Sequence, residues 1–212
     1  DGSVGGLKPG ITVVIPTIPP RKKMLKRALA SVEAQTLQAA DVIISEDIHH
    51  LGAAATRNRA LEGVHTEWVA FLDDDDEFLP NHLEMLCNRA VEEDADLVYP
   101  WFEVINGADP LTVDFGDGPV SPFGVFFGFD QKEYLQNKGN FIPVTHLSKT
   151  DLVQTIGGFP QPGSARWPHQ DNEDWGFLRD MLAAGAKFVH EPTKTWHWHH
   201  GHANTSGRSD RW

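Results

Sequence analysis

The chain has 212 residues, a hydrophobic fraction of 40% and a formal net charge of −12. That fraction supports one packed domain and excludes a disordered chain, while the acidic balance excludes the Lys- and Arg-rich footprint of an extended nucleic-acid binder. A single cysteine, Cys87, excludes an intrachain disulfide, and no apolar run approaches the ~20 residues that a membrane span requires.

No secretory leader is visible, so a cytoplasmic protein, soluble or peripheral to a membrane, is expected. Residues 1–10, rich in glycine, read as a flexible tail or an expression scar and are set apart from the domain at 11–212. Residues 11–15 are a β-branched run stopped by Pro16, the pattern of a central strand. Leu25, Ala28, Leu29 and Val32 then recur at helical spacing. Arg21, Lys22, Lys23, Lys26 and Arg27 crowd the front of that helix, where the dipole disfavours cations. A phosphate-bearing ligand would explain them, as would solubility.

Residues 41–45 read as a second strand ending in Glu46 and Asp47, and 52–61 as a helix. The run 68–72 reads as a third strand. Strand, helix, strand, helix, strand implies parallel pairing with right-handed crossovers. The polar strand ends Pro16-Thr17, Glu46-Asp47 and Asp73 to Asp76 would then share one edge, where ligands bind in open α/β sheets. Four adjacent carboxylates repel one another unless a cation sits among them; Mg²⁺ or Mn²⁺ suits oxygen donors, and a solvated acidic turn is the plainer alternative.

After Pro80, Leu83, Leu86, Cys87, Ala90 and Val91 form the stripe of an amphipathic helix, with Cys87 as a core thiol. Residues 96–99 read as a fourth strand. From 103 to 140 the pattern degrades into a long excursion that has room for a β-hairpin. Its residues Phe115, Phe123, Phe126, Phe127 and Phe129 suit either a satellite core or an acceptor-binding wall. Extended structure resumes at 141–144, and Thr150 is expected to cap a short helix ended by Gly157-Gly158. Glu173-Asp174 opens a further helix carrying Trp175, Leu178, Met181 and Leu182. Simple dipole compensation would account for that acidic pair. A strand is expected at 187–190. In 196–202 four histidines and two tryptophans occupy seven positions; if this stretch is extended, His197 and His199 share a face, and imidazole is a common ligand for Mn²⁺, Fe²⁺ and Zn²⁺.

The order VVIPT, Arg21, SED, ATRNRAL, FLDDDDEFLP, GGF, EDW and a histidine-rich end resembles the inverting glycosyltransferases of family two, which have the GT-A fold. The resemblance spans about 11–206. It implies an α/β, Rossmann-like single domain with a mostly parallel central sheet flanked by helices. Residues 11–100 would form the nucleotide-binding half and 101–212 the acceptor-binding and catalytic half. It implies a nucleotide-sugar donor, a UDP-sugar first and a GDP- or dTDP-sugar as alternatives, with Mn²⁺ or Mg²⁺. By the same resemblance Asp75 is the metal ligand, and Asp73 or Asp74 lies near the ribose or the metal waters. Glu46 and Asp47 face the nucleobase, although the family's usual pair of aspartates followed by glycine and serine is here Glu46-Asp47-Ile48-His49. Arg57 lies by the base or diphosphate, and Thr17 and Arg21 match the nucleotide loop. Glu173-Asp174 matches the acidic motif whose aspartate, Asp174, is the catalytic base. A C-terminal histidine matches a ligand of the metal or diphosphate: His200 first, with His199 and His202 as alternatives.

The residue types suit that chemistry on their own. A leaving diphosphate needs a Lewis acid, and an acceptor hydroxyl needs a carboxylate to take its proton. One displacement inverts the anomeric centre. The acceptor could be a glycan, a lipid-linked sugar, a protein or a small molecule. Trp175, Trp167 or Trp101 could stack on an acceptor sugar. Two rival readings are a nucleotidyltransferase, which should carry a Gly-rich phosphate loop that residues 16–20 lack, and a non-catalytic module binding metal or sugar nucleotide.

Overall fold

The structure, a computed structural model, describes residues 8–106, 113–114, 119–120, 131, 140 and 142–199. In chain order the first half runs β1 (Lys8–Thr17), a 3-10 turn (Pro19–Arg21), α1 (Lys22–Glu33), β2 (Asp41–Glu46), α2 (Ala53–Leu61), β3 (Thr66–Phe71), β4 (Glu77–Phe78) and α3 (His82–Glu93). The second half runs β5 (Leu97–Ile105), β6 (Val113–Asp114), β7 (Pro119–Val120), β8 (Leu147–Lys149), α4 (Thr150–Thr155), α5 (Glu173–Ala183) and β9 (Phe188–His199).

Seven strands form one sheet in the order β2-β1-β3-β8-β5-β9-β4. β1 pairs in parallel with β2 and β3, and β5 with β9. The short β8 is antiparallel to both β3 and β5, so five strands share one direction and only β8 and β4 oppose it. The expected parallel core is therefore present, with an antiparallel splice between its halves. β1 and β3 have the β-branched and aromatic composition of strands covered on both faces: Val13, Val14, Ile15, Val69, Ala70, Phe71 and Leu72 are all fully buried. Phe71 meets Phe159 and Phe177 edge to face, with ring centroids 5.1 and 6.1 Å away. That contact seats α5 against the central strand just behind the acidic tip.

Several boundaries differ from the sequence reading. β1 begins at Lys8, inside the segment read as a tail, because Lys8 still pairs with Thr66. Residues 142–144 are not a strand; the strand lies at Leu147–Lys149, held by its two neighbours rather than by its own pattern. Thr150 is not the cap of α4. Lys149 holds that position, and the Thr150 hydroxyl is buried without a hydrogen-bond partner. β9 runs to His199, nine residues beyond the expected strand end at 190. It passes Pro192 at an irregularity where Pro100 faces Glu191 but Trp101 faces Lys194, a place in a sheet where a missing N–H is tolerated. The hairpin foreseen in 103–140 is present as β6 and β7; the five phenylalanines of that stretch lie outside the described residues. Among the described residues no helix is long and apolar enough to cross a membrane.

Candidate active site

β1 and β3 end side by side, so Thr17 and the loop after Phe71 meet at one sheet edge. Asp76 N–H donates to the Asp73 carbonyl at 3.1 Å and closes the acidic turn. Thr17 Oγ1 donates to Asp74 at 2.7 Å. Arg21 Nη1 donates to Asp74 at 2.9 Å and to Asp75 at 2.8 Å. The Arg27 guanidinium holds the Asp75 carbonyl. Two of the cations at the front of α1 thus serve the acidic turn, which explains their tolerance against the helix dipole.

The four aspartates are not equivalent. Asp74 is raised by burial, against the opposing pull of Thr17 and Arg21. Asp76 is held well above the usual carboxylate range by burial and by Asp75 and Asp73, although it accepts the His199 N–H at 2.8 Å. One oxygen each of Asp73, Asp75 and Asp76 lies within 4.8 Å of the others. An all-oxygen set of this kind fits Mg²⁺ or Mn²⁺, and a cation there would offset the repulsion from Asp75 and Asp73 that adds to burial in raising Asp76.

Asp47 is buried and accepts the N–H groups of Leu51 and Gly52, both at 2.8 Å. Gly52 sits at φ 89, a conformation that favours glycine, and leads into α2. Glu46, by contrast, is exposed and does not line the cleft. It lines instead a shallow depression at the edge strand β2, with Ile44, Ser45, Ile48 and Arg59.

Arg57 is also redirected. Its guanidinium donates to Glu173 at 2.8 Å and to Asp73 at 2.7 Å. Burial opposes its charge, but Asp73 and Glu173 outweigh that and hold its pKa above the ordinary value. The adjacent Asp174 has no such partner. Burial, then the charge of Glu173, pushes it up to about 7. Its Oδ1 accepts the Trp175 N–H at 2.8 Å and its Oδ2 accepts from Asn140 Nδ2 at 3.1 Å. Asn172, at φ 57, sets the turn that presents both carboxylates at the start of α5.

Thr17, Arg21, Asp47, Arg57, Asp73 to Asp76, Glu173 and Asp174 line one cleft of about 360 Å³, and Arg27, Glu46, Asn140 and His199 do not; its volume is within the size range of small-molecule sites. Asp75 and Asp174 share it, as do Asp47, Thr17, Arg21 and Arg57. Its tryptophans are Trp196 and Trp198, not the expected Trp101, Trp167 or Trp175. Trp167 is buried and donates its indole N–H to the Asp171 carbonyl at 2.8 Å, which makes it a brace for the loop before α5. Asn140 and the two cleft tryptophans escaped the sequence reading; Asn140 lies in an aperiodic stretch, and the tryptophans required β9 to be recognised as one long strand. His200 and His202 lie outside the described residues.

Residues 46–142 match the family model described as Glycosyl transferase family 2. The succinoglycan biosynthesis protein ExoW of Rhizobium meliloti (strain 1021) is 31% identical over 133 residues, covering 50% of this chain and 41% of its own length. The Escherichia coli UDP-Glc:alpha-D-GlcNAc-diphosphoundecaprenol beta-1,3-glucosyltransferase WfgD is 38% identical over 55 residues, 26% of this chain and 22% of its own. The chain thus spans less than half the length of either relative. Among solved structures, S. aureus TarS 1-349 superposes with a TM-score of 0.66 at 17% identity, over 89% of this chain and 60% of that one. The same protein in complex with UDP-GlcNAc gives 0.62 at 15% identity, over 92% and 60%. The family model over residues 46–142 and the two relatives make this chain similar to glycosyl transferase family 2, and the solved structures show that it has the GT-A fold.

Proposed function

We propose that this domain transfers a sugar from a nucleotide-sugar donor to an acceptor hydroxyl with inversion, using a divalent cation. The observation that carries the reading is the pairing, across one cleft, of a carboxylate cluster built for a cation with a second acidic pair whose two members differ. Glu173 is locked to Arg57, while Asp174 is held near neutrality by burial. Carboxylates whose environments drive them apart are the mark of divided acid–base roles.

In this reading Asp75, with Asp73, holds Mn²⁺ or Mg²⁺, and the buried Asp76 completes the set. The cation, when bound, neutralises charge on the leaving diphosphate as a Lewis acid. Arg21 already bridges Asp74 and Asp75 and is placed to steady the same diphosphate. Asp74, held by Thr17 and Arg21, keeps the turn in shape beside the ribose. Asp47 fixes the entry to α2 and keeps a carboxylate at the base end of the cleft. Asp174 takes the proton from the acceptor hydroxyl as that oxygen attacks the anomeric carbon and the diphosphate departs. Asn140 orients Asp174. Trp198 offers an apolar wall to an acceptor sugar.

A UDP-sugar donor and a saccharide acceptor are supported by the UDP-Glc in the name of WfgD and the UDP-GlcNAc bound to TarS. The test is donor turnover by the purified chain with UDP-, GDP- and dTDP-sugars, with and without Mn²⁺. Cation-dependent release of UDP from one donor is expected. No release from any donor would leave a binding module and overturn the reading.

A further inference from the structure

The acidic turn and the cleft do not account for a second donor cluster on the other face of β9. Trp196 and Trp198 line the cleft, so strand alternation turns His197 and His199 away from it. There they meet Glu77, the direct partner of His197 on β4. One donor atom each of Glu77, His197 and His199 lies within 4.8 Å of the other two. His199 Nε2 stands 2.6 Å from Glu77 Oε2, in a hydrogen bond whose single proton a cation could replace. Across β9, Glu103 is the partner of His197 on β5, and its Oε2 lies 3.6 Å from His197 Nε2. The cluster shares no residue with the Asp73, Asp75 and Asp76 set.

We infer that Glu77, His197 and His199 form a second metal site, for one transition cation of the Zn²⁺ class, separate from the diphosphate cation. Two imidazoles and one carboxylate suit Zn²⁺ and its neighbours rather than Mg²⁺, which prefers oxygen throughout. Glu103 lies within reach as a fourth donor. The site's role is structural. β4 is only two residues long, and it follows directly from the acidic turn. A cation joining Glu77 to His197 and His199 would clamp β4 onto β9. The same clamp would hold the His199 N–H on Asp76, so the turn that carries the catalytic cation would be stiffened from behind. Arg27, whose Nε is 3.4 Å from Glu77, would have to yield part of that contact.

The inference does not depend on the transferase reading, and its test reads binding rather than activity. Zn²⁺ is titrated calorimetrically into the untagged full chain, with Mg²⁺ as control. One equivalent of Zn²⁺ should bind, with affinity lowered at least tenfold in His199→Gln and in His197→Gln. It should be unchanged in Asp75→Asn and in the double variant His200→Gln, His202→Gln. As a check that needs no variant, the side-chain nitrogen resonances of His197 and His199 should move on Zn²⁺ addition to the wild-type chain. Absence of one-to-one Zn²⁺ binding, equal binding in both single variants, loss of binding only in the His200, His202 variant, or unmoved His197 and His199 resonances would each overturn the site.

Discussion

Arg57 and Glu173 form a buried ion pair, Nη1 to Oε1 at 2.8 Å, that ties α2 to the first turn of α5. The same guanidinium reaches Asp73 at 2.7 Å, so one side chain joins the two acidic motifs. Breaking a buried pair costs more than the pair contributes, because an unpaired charge remains. Arg57→Ala should therefore lose about 3–5 kcal/mol of stability in urea denaturation. Arg57→Lys should recover part of it, since an ammonium cannot reproduce the planar fork that serves both carboxylates. Equal stability of wild type and Arg57→Ala would show that the pair does not hold the two motifs together.

Asp174, pushed up to about 7 by burial and by Glu173, links activity and stability through one proton. As a base it must be ionised, so kcat/KM should rise with pH around neutrality. Its folded pKa lies above the unfolded value, so the neutral form is favoured in the folded state. Stability from this group is full below about pH 4 and is lost as pH rises through about 7. Asp174→Asn should abolish transfer, leave donor binding largely intact, and raise the melting temperature at pH 8 but not at pH 4. Wild-type transfer in that variant would remove Asp174 from the base role.

These two carboxylates show what a sequence carries and what it does not. Their place at a helix start was legible, because four apolar positions at helical spacing, Trp175, Leu178, Met181 and Leu182, follow them. Their difference was not, since it comes from Arg57, which lies 116 residues away from Glu173 in sequence. The same holds for the sheet. β1 and β3 announce themselves by β-branched and apolar runs, whereas the three residues of β8 and the two of β4 become strands only through their neighbours. Glu46 was assigned to the cleft because it stands beside Asp47. Glu46 lies instead exposed on the edge strand β2, and only Asp47 lines the cleft.

A divalent cation should stabilise the folded chain through Asp75. With UDP present and the cation at a hundred times its dissociation constant, mass action gives about 2.7 kcal/mol. For a chain of this size that corresponds to a rise of roughly 5–10 °C in melting temperature. Asp75→Ala should remove the Mn²⁺-dependent part of the shift observed with UDP. The shift should also grow with pH, because burial and then Asp75 and Asp73 raise Asp76, and a proton there competes with the cation. A shift of unchanged size in Asp75→Ala would place the cation elsewhere.

Gly176, in the second half-turn of α5, tests how far the proposed base Asp174 depends on its support. A Cβ there would lie 2.7 Å from Pro160 Cγ and 2.8 Å from Trp167 Cδ2. Neither atom is the free end of a flexible chain: one is a ring carbon of proline, and the other belongs to an indole pinned to the Asp171 carbonyl. Gly176→Ala should therefore cost about 1–3 kcal/mol by overpacking, despite the better helix propensity of alanine. Relief by moving Trp167 would drag the 171–172 loop and rotate the first turn of α5, where Asp174 sits. If Asp174 is the base, its displacement lowers the rate of chemistry more than donor affinity, because the proposed donor contacts lie on β1, α2 and the acidic turn. The variant should show a reduced kcat with a nearly unchanged dissociation constant for UDP. Equal losses in both would mean that the packing at Gly176 supports the whole cleft rather than its catalytic side.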